Sequence, residues 1–186
     1  MKIRLAAYLQ PDSIVDGEGI RTVIWTQGCP HHCFGCQNPE TQDFDGGDEV
    51  DIEEVKRIID GLKGQDGITF SGGDPMVQPA ACAEIAKYAR TKGYNIWCYT
   101  GYDYETLLKL AKTKKEYMDF LKQIDVLVDG KFILEQKTFN AIFRGSSNQR
   151  IIDVPASLKN KRVVLVQKYL AKKPYSNRER VSGIYI

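Results

Sequence analysis

The chain has 186 residues and a mass of 21.1 kDa, the length of one domain. Hydrophobic residues at 42% and charged residues at 27% exclude a disordered chain, and no apolar run longer than residues 5–9 exists to span a bilayer. The net charge of +2 conceals two opposed stretches: residues 40–66 hold ten acids against three bases, and residues 159–180 hold eight bases against Glu179 alone.

In chain order, residues 21–26 are β-branched and aromatic and predict a strand running into Gly28 and Cys29. Residues 51–59 place Ile52, Val55, Ile58 and Ile59 on one helical face, with Asp51 as N-cap and Gly61 or Gly64 as terminator. Residues 67–71 read as a short buried strand that ends in the turn Gly72-Gly73-Asp74-Pro75. An Ala-rich helix is expected over 78–91, stopped by Gly93, and a strand over 94–100 ends at Gly101. Residues 104–121 predict one or two helices capped by Asp103; strands are expected at 125–129 and 162–167.

Strands separated by helices imply βαβ units, an α/β class and a mostly parallel sheet. A closed eight-fold barrel needs about 250 residues, so this chain supplies a partial (βα) barrel or an open sheet. No repeat, low-complexity tract or linker divides it, and a single domain over 1–186 is expected. In such folds chemistry gathers beyond the carboxyl ends of the strands. The cysteine loop, Gly72-Gly73-Asp74, Thr100-Gly101 and Asp129-Gly130-Lys131 each follow a predicted strand and are expected on one rim.

Five cysteines without a secretory leader argue against a disulfide framework. Cys29, Cys33 and Cys36 form a C-x3-C-x2-C loop, while Cys82 and Cys98 stand alone in a predicted helix and strand, where buried structural thiols are the commoner outcome. Three thiolates so close can wrap zinc or an iron–sulfur cluster. Structural zinc wants four ligands, and here the fourth would be His31, His32 or a distant cysteine. A cubane cluster held by three cysteines keeps one iron open to a ligand.

Together, Gly17-Glu18-Gly19-Ile20-Arg21, the cysteine loop and Gln37-Asn38-Pro39-Glu40-Thr41 resemble the radical S-adenosylmethionine (SAM) enzymes. More narrowly, Ser71-Gly72-Gly73-Asp74-Pro75, the Trp97–Tyr102 stretch, Asp125–Phe132 and Phe143–Arg150 are similar to the activating enzymes that install a glycyl radical in anaerobic ribonucleotide reductase. Two positions depart from the wider superfamily: Gly35 replaces the usual aromatic residue before the third cysteine, and Asp74 stands where Glu is common.

The resemblance implies a radical SAM type of partial barrel and a [4Fe–4S] cluster on Cys29, Cys33 and Cys36, with SAM on the open iron. It implies cofactor binding by Gly72, Gly73, Asp74, Thr100, Asp129 and Lys131, the glycines allowing close backbone approach and Lys131 pairing with the methionyl carboxylate. Asn148 and the neighbouring arginines would contact SAM or the partner. The implied partners are the glycyl-radical subunit of anaerobic ribonucleoside-triphosphate reductase and a flavodoxin- or ferredoxin-type electron donor.

Three rival classes remain in view. A zinc interaction module would bind no SAM, and a ferredoxin-like carrier would need a fourth cysteine. A small-molecule radical SAM enzyme of the 7-carboxy-7-deazaguanine synthase kind, or an activase of another glycyl-radical enzyme such as pyruvate formate-lyase, is the nearer alternative. With no nucleic-acid module beside the basic run, no apolar span and no signal-peptide pattern, a cytoplasmic protein without nucleic-acid or membrane partners is expected.

Overall fold

A computed structural model describes residues 1–138 and 141–170; the basic run beyond residue 170 lies outside the described residues. Three parallel ladders form the centre of one sheet. They join β3 (Arg21–Thr26), β5 (Gly67–Gly72), β6 (Asn95–Tyr99) and β7 (Val126–Asp129). Antiparallel strands flank them: β1 (Lys2–Leu5), β2 (Gln10–Ser13) and β4 (Asp48–Asp51) on the β3 side, and β8 (Arg150–Asp153) beside β7. The order is β4-β1-β3-β5-β6-β7-β8, with β2 also pairing β3.

Among the described residues five α-helices follow strands of the sheet: α1 (Ile52–Gly61) after β4, α2 (Pro79–Thr91) after β5, α3 (Tyr104–Leu110) and α4 (Lys115–Leu121) after β6, and α5 (Val154–Asn160) after β8. Their starts are chemically marked. The carboxylates of Asp51, Asp103 and Asp153 accept backbone N–H bonds from Glu53, Thr106 and Ala156 at 2.8–3.0 Å.

Strand parity sorts the sheet into two faces. Ile24, Ile68, Phe70, Ile96, Cys98, Leu127 and Ile152 face one large core, to which all five helices contribute. Trp97, Val128 and Ile151 face the other way and form a smaller cluster with Tyr99, Phe143 and Tyr169, the last in a single 3-10 turn, without any α-helix among the described residues. The helix-free face also buries Arg21, whose guanidinium bonds Thr69 Oγ1 at 2.6 Å, Asn95 Oδ1 at 2.8 Å and the Ile68 carbonyl at 2.8 Å. This ties β3, β5 and β6 together, and burial lowers the Arg21 pKa to about 10. No helix among the described residues is long and apolar enough to cross a membrane.

The structure corrects two expectations. Residues 162–167 do not form a sheet strand; Lys161 turns the chain back with a positive φ of 53°, leaving an isolated bridge from Leu165 to Ile152. The last sheet strand is β8 instead, at the end of the polar 143–150 stretch, where only Ile151 and Ile152 carry an apolar signal. The antiparallel strands β1, β2 and β4 also escaped the sequence reading; Gln-Pro-Asp-Ser and Asp-Glu-Val-Asp have almost no apolar content.

Candidate active site

A cavity of about 690 Å³ opens beyond the carboxyl ends of the four parallel strands. Cys29, Cys33, Cys36, Gly72, Gly73, Thr100 and Gly130 all line it, so the four expected loops do meet on one rim. Parity explains the remaining wall: Trp25, Ser71 and Tyr99 project from the helix-free face into the same space.

The cysteine loop is folded by its own backbone. Positive φ values at Gly28 (94°), His32 (47°) and Gly35 (73°) curl it, and the Cys36 N–H closes a turn onto the Cys33 carbonyl at 3.1 Å. The φ of Gly35 accounts for the missing aromatic side chain there. Phe34 instead projects outward, 81% exposed. The loop is anchored by the N–H groups of Gly28 and Cys29, which donate to the carbonyls of Thr41 and Gln42 at 2.8 and 3.0 Å.

All three loop cysteines are free and half-buried, whereas Cys82 and Cys98 are fully buried in the helix-side core. Burial pushes the Cys29 thiol up to about 11. Three soft sulfur donors line one open cavity, a donor set that suits an iron–sulfur cluster with a vacant coordination position.

Gly72 and Gly73 owe their lack of a side chain to the protein itself. A Cβ on Gly72 would lie 2.4 Å from the Thr26 carbonyl oxygen, and one on Gly73 would lie 2.4 Å from the Gly28 carbonyl oxygen. The end of β5 therefore runs directly against the root of the cysteine loop, stitched by Gly73 N–H to Thr26 O (2.7 Å) and Asp74 N–H to Gly28 O (2.8 Å).

The remaining expected cofactor residues differ in placement. Thr100 lines the cavity, but its hydroxyl donates to the Asp74 carboxylate at 2.9 Å. Asp74 is completely buried and does not line the cavity; its carboxylate is saturated by protein donors. Asp129 is not brought to the cavity either. It has the parity of Leu127, so its carboxylate meets the helix side: Arg150 donates at 2.5 and 3.0 Å, and the Tyr104 N–H at 2.8 Å. Lys131 is exposed and lies outside the cavity wall.

Two residues of that wall carry buried, unpaired polar atoms: the Tyr99 hydroxyl and Arg144 Nε. Tyr99 was not among the expected cofactor residues, although strand parity after Trp97 would have exposed it; Arg144 is one of the arginines beside Asn148 expected to contact SAM or the partner. Such atoms suit a polar ligand that completes their hydrogen bonds.

The Asp129 geometry makes a testable prediction. Asp129→Asn removes a charged acceptor from Arg150 and from the first turn of α3, and is expected to cost about 1–3 kcal/mol of stability, since Arg150 keeps part of its solvent and its contact with Glu105. Urea denaturation should show that loss while calorimetry shows SAM affinity within about twofold of the parent. A tenfold loss of SAM affinity with unchanged stability would return Asp129 to the cofactor site.

The family model for a 4Fe–4S single cluster domain matches residues 15–152. The chain is 37% identical to the anaerobic ribonucleoside-triphosphate reductase-activating protein of Haemophilus influenzae over 155 residues, covering 77% of this chain and 96% of that protein. The protein of the same description from Escherichia coli K12 is 36% identical over 148 residues, 75% of this chain and 92% of that one. That of phage T4 is 33% identical over 150 residues, 77% and 90% of the two chains. Among solved structures, QueE from Escherichia coli aligns with a TM-score of 0.45 and 14% identity over 54% of this chain and 53% of that one.

Proposed function

The chain belongs to the family of anaerobic ribonucleoside-triphosphate reductase-activating proteins, and from that membership we propose that it generates the glycyl radical of such a reductase. It is an iron–sulfur radical SAM enzyme. The cluster and SAM supply the hard chemistry: one electron cleaves SAM to methionine and a 5′-deoxyadenosyl radical, which takes hydrogen from a glycine.

The protein's part follows from the cavity. Cys29, Cys33 and Cys36, which line it, would hold the cluster. Gly72 and Gly73 line the adjoining wall, and Thr100 borders it. The Tyr99 hydroxyl and Arg144 Nε offer unfilled donors to a polar cofactor. The observation that carries this reading is the convergence of all three loop cysteines with Gly72-Gly73 on one cavity at the strand ends.

A sheet with helices on one face and the site on the other is consistent with a single-domain partial barrel, open at its side. A partner's peptide loop would enter there and supply the cover that keeps water from the radical. Val15 at the cavity wall and Phe34 on the cysteine loop, 71% and 81% exposed, provide apolar contact for it. The electron donor would be a flavodoxin or ferredoxin, and the setting cytoplasmic.

The test is anaerobic mixing of reduced enzyme, SAM and the reductase. Electron paramagnetic resonance (EPR) should show a glycyl doublet, 5′-deoxyadenosine should form, and the doublet should vanish when the reductase's target glycine is changed to Ala. If 5′-deoxyadenosine forms only with a small molecule, and no glycyl-radical partner gives a protein radical, the proposal fails.

A further inference from the structure

His31 lies in the cysteine loop, between two proposed ligands, yet its side chain is buried away from solvent with 7% exposure. Two segments, the turns after β5 and β6, build the slot that holds it. Asp74, after β5, accepts from His31 Nε2 at 2.7 Å. Tyr102 meets the imidazole edge-to-face with ring centres 4.5 Å apart. Gly101 makes room: a Cβ there would lie 2.3 Å from His31 Cδ2, and Gly101 does not have the positive φ that would otherwise demand glycine.

Asp74 is equally committed. Besides His31 it accepts from the Thr100 hydroxyl (2.9 Å) and from the N–H groups of Met76 and Gly101 (both 2.9 Å). It has no exposed surface and no place in the cavity wall. Its carboxylate joins the ends of β5 and β6 and the cysteine loop.

We propose that His31 is a positioning residue: anchored on Asp74 through Nε2, it ties the cysteine loop to the ends of β5 and β6 and so fixes the surroundings of the cluster and the approach of SAM. The inference rests on the cluster assignment above. A cluster's potential depends on hydrogen bonding to its sulfurs and on solvent exposure, and loosening the loop that carries the cysteines changes both. Asp74 thereby acts on the site through His31 rather than by touching SAM.

The experiment compares His31→Gln with His31→Asn in the reconstituted holoenzyme. A glutamine amide nitrogen stands the same number of bonds from Cβ as His31 Nε2, so it can reach Asp74; the asparagine nitrogen is one bond short. Expected for His31→Asn is parental iron content, a reduced-to-oxidised ratio at fixed potential changed about tenfold, equal to a shift of about 59 mV for a one-electron couple, and a weakened SAM-induced change in the EPR spectrum of the reduced cluster. His31→Gln should restore both.

Loss of iron in His31→Asn but not in His31→Gln would also support the anchor. A parental potential and parental SAM response in His31→Asn would overturn it, as would equal defects in both variants. If the parent protein itself binds no iron, the cluster assignment has failed instead. The imidazole can then still be followed by nitrogen-15 NMR of the cluster-free protein, where a slowly exchanging Nε2–H lost in Asp74→Asn supports the anchor and a freely exchanging one refutes it.

Discussion

Changing any one of Cys29, Cys33 or Cys36 to Ala is expected to abolish SAM cleavage and leave a protein without an intact [4Fe–4S] cluster. With three protein thiolates, a four-iron cluster already has one open position, and removing another leaves two irons without a protein ligand. No spare sulfur is within the cavity to replace it: Cys82 and Cys98 lie in the core on the opposite face of the sheet, their thiols held neutral by burial. Cys82→Ala and Cys98→Ala should therefore keep parental iron and sulfide and lose at most some packing stability. Iron and sulfide analysis after anaerobic reconstitution, with 5′-deoxyadenosine release as the second readout, checks both halves. Full cluster content in Cys33→Ala, or loss of it in Cys98→Ala, would remove the loop triad as the ligand set.

How much of this was legible in sequence depended on the kind of signal. The parallel strands and α1–α4 were readable because buried strands are runs of Ile, Val and Phe, and because Asp51 and Asp103 announce helix starts with a carboxylate. Edge strands were not. β4 is Asp-Glu-Val-Asp with no buried residue, and it is a strand because β1 offers it a four-residue register, not because its side chains demand one. The segment 162–167 misled for the converse reason: four apolar residues look like a strand, but the reversal at Lys161 leaves room for only one bridge.

The site divides in the same way. Three cysteines in one loop and a glycine pair after a strand are local patterns, and the structure brings both to the cavity. Asp74 and Asp129 show what local patterns omit. Both are acids following a strand, yet each carboxylate is consumed by partners distant in sequence, His31 and Thr100 for one, Arg150 for the other. Only the three-dimensional arrangement says whether a carboxylate faces a ligand or its own scaffold.

The same distinction governs the glycine pair and gives the second large effect. Gly73→Ala is expected to disable the enzyme before SAM is present. The new methyl carbon would lie 2.4 Å from the Gly28 carbonyl oxygen and 2.6 Å from that of Thr41, and both are backbone atoms at the root of the cysteine loop. Neither can rotate away, so the loop must move. Relieving such an overlap costs about 1–3 kcal/mol. Gly72→Ala adds a left-handed φ of 106° and a 2.4 Å approach to the Thr26 carbonyl, and should cost more, about 2–5 kcal/mol with backbone strain included. Thermal denaturation of the cluster-free proteins should show both losses, with Gly72→Ala the less stable, and reconstitution should give substoichiometric iron in each. If the glycines instead served only to let SAM approach, both variants would match the parent in apo stability and iron content and fail solely in SAM affinity. That outcome would show that the tight seam between β5 and the cysteine loop does not set the position of the loop.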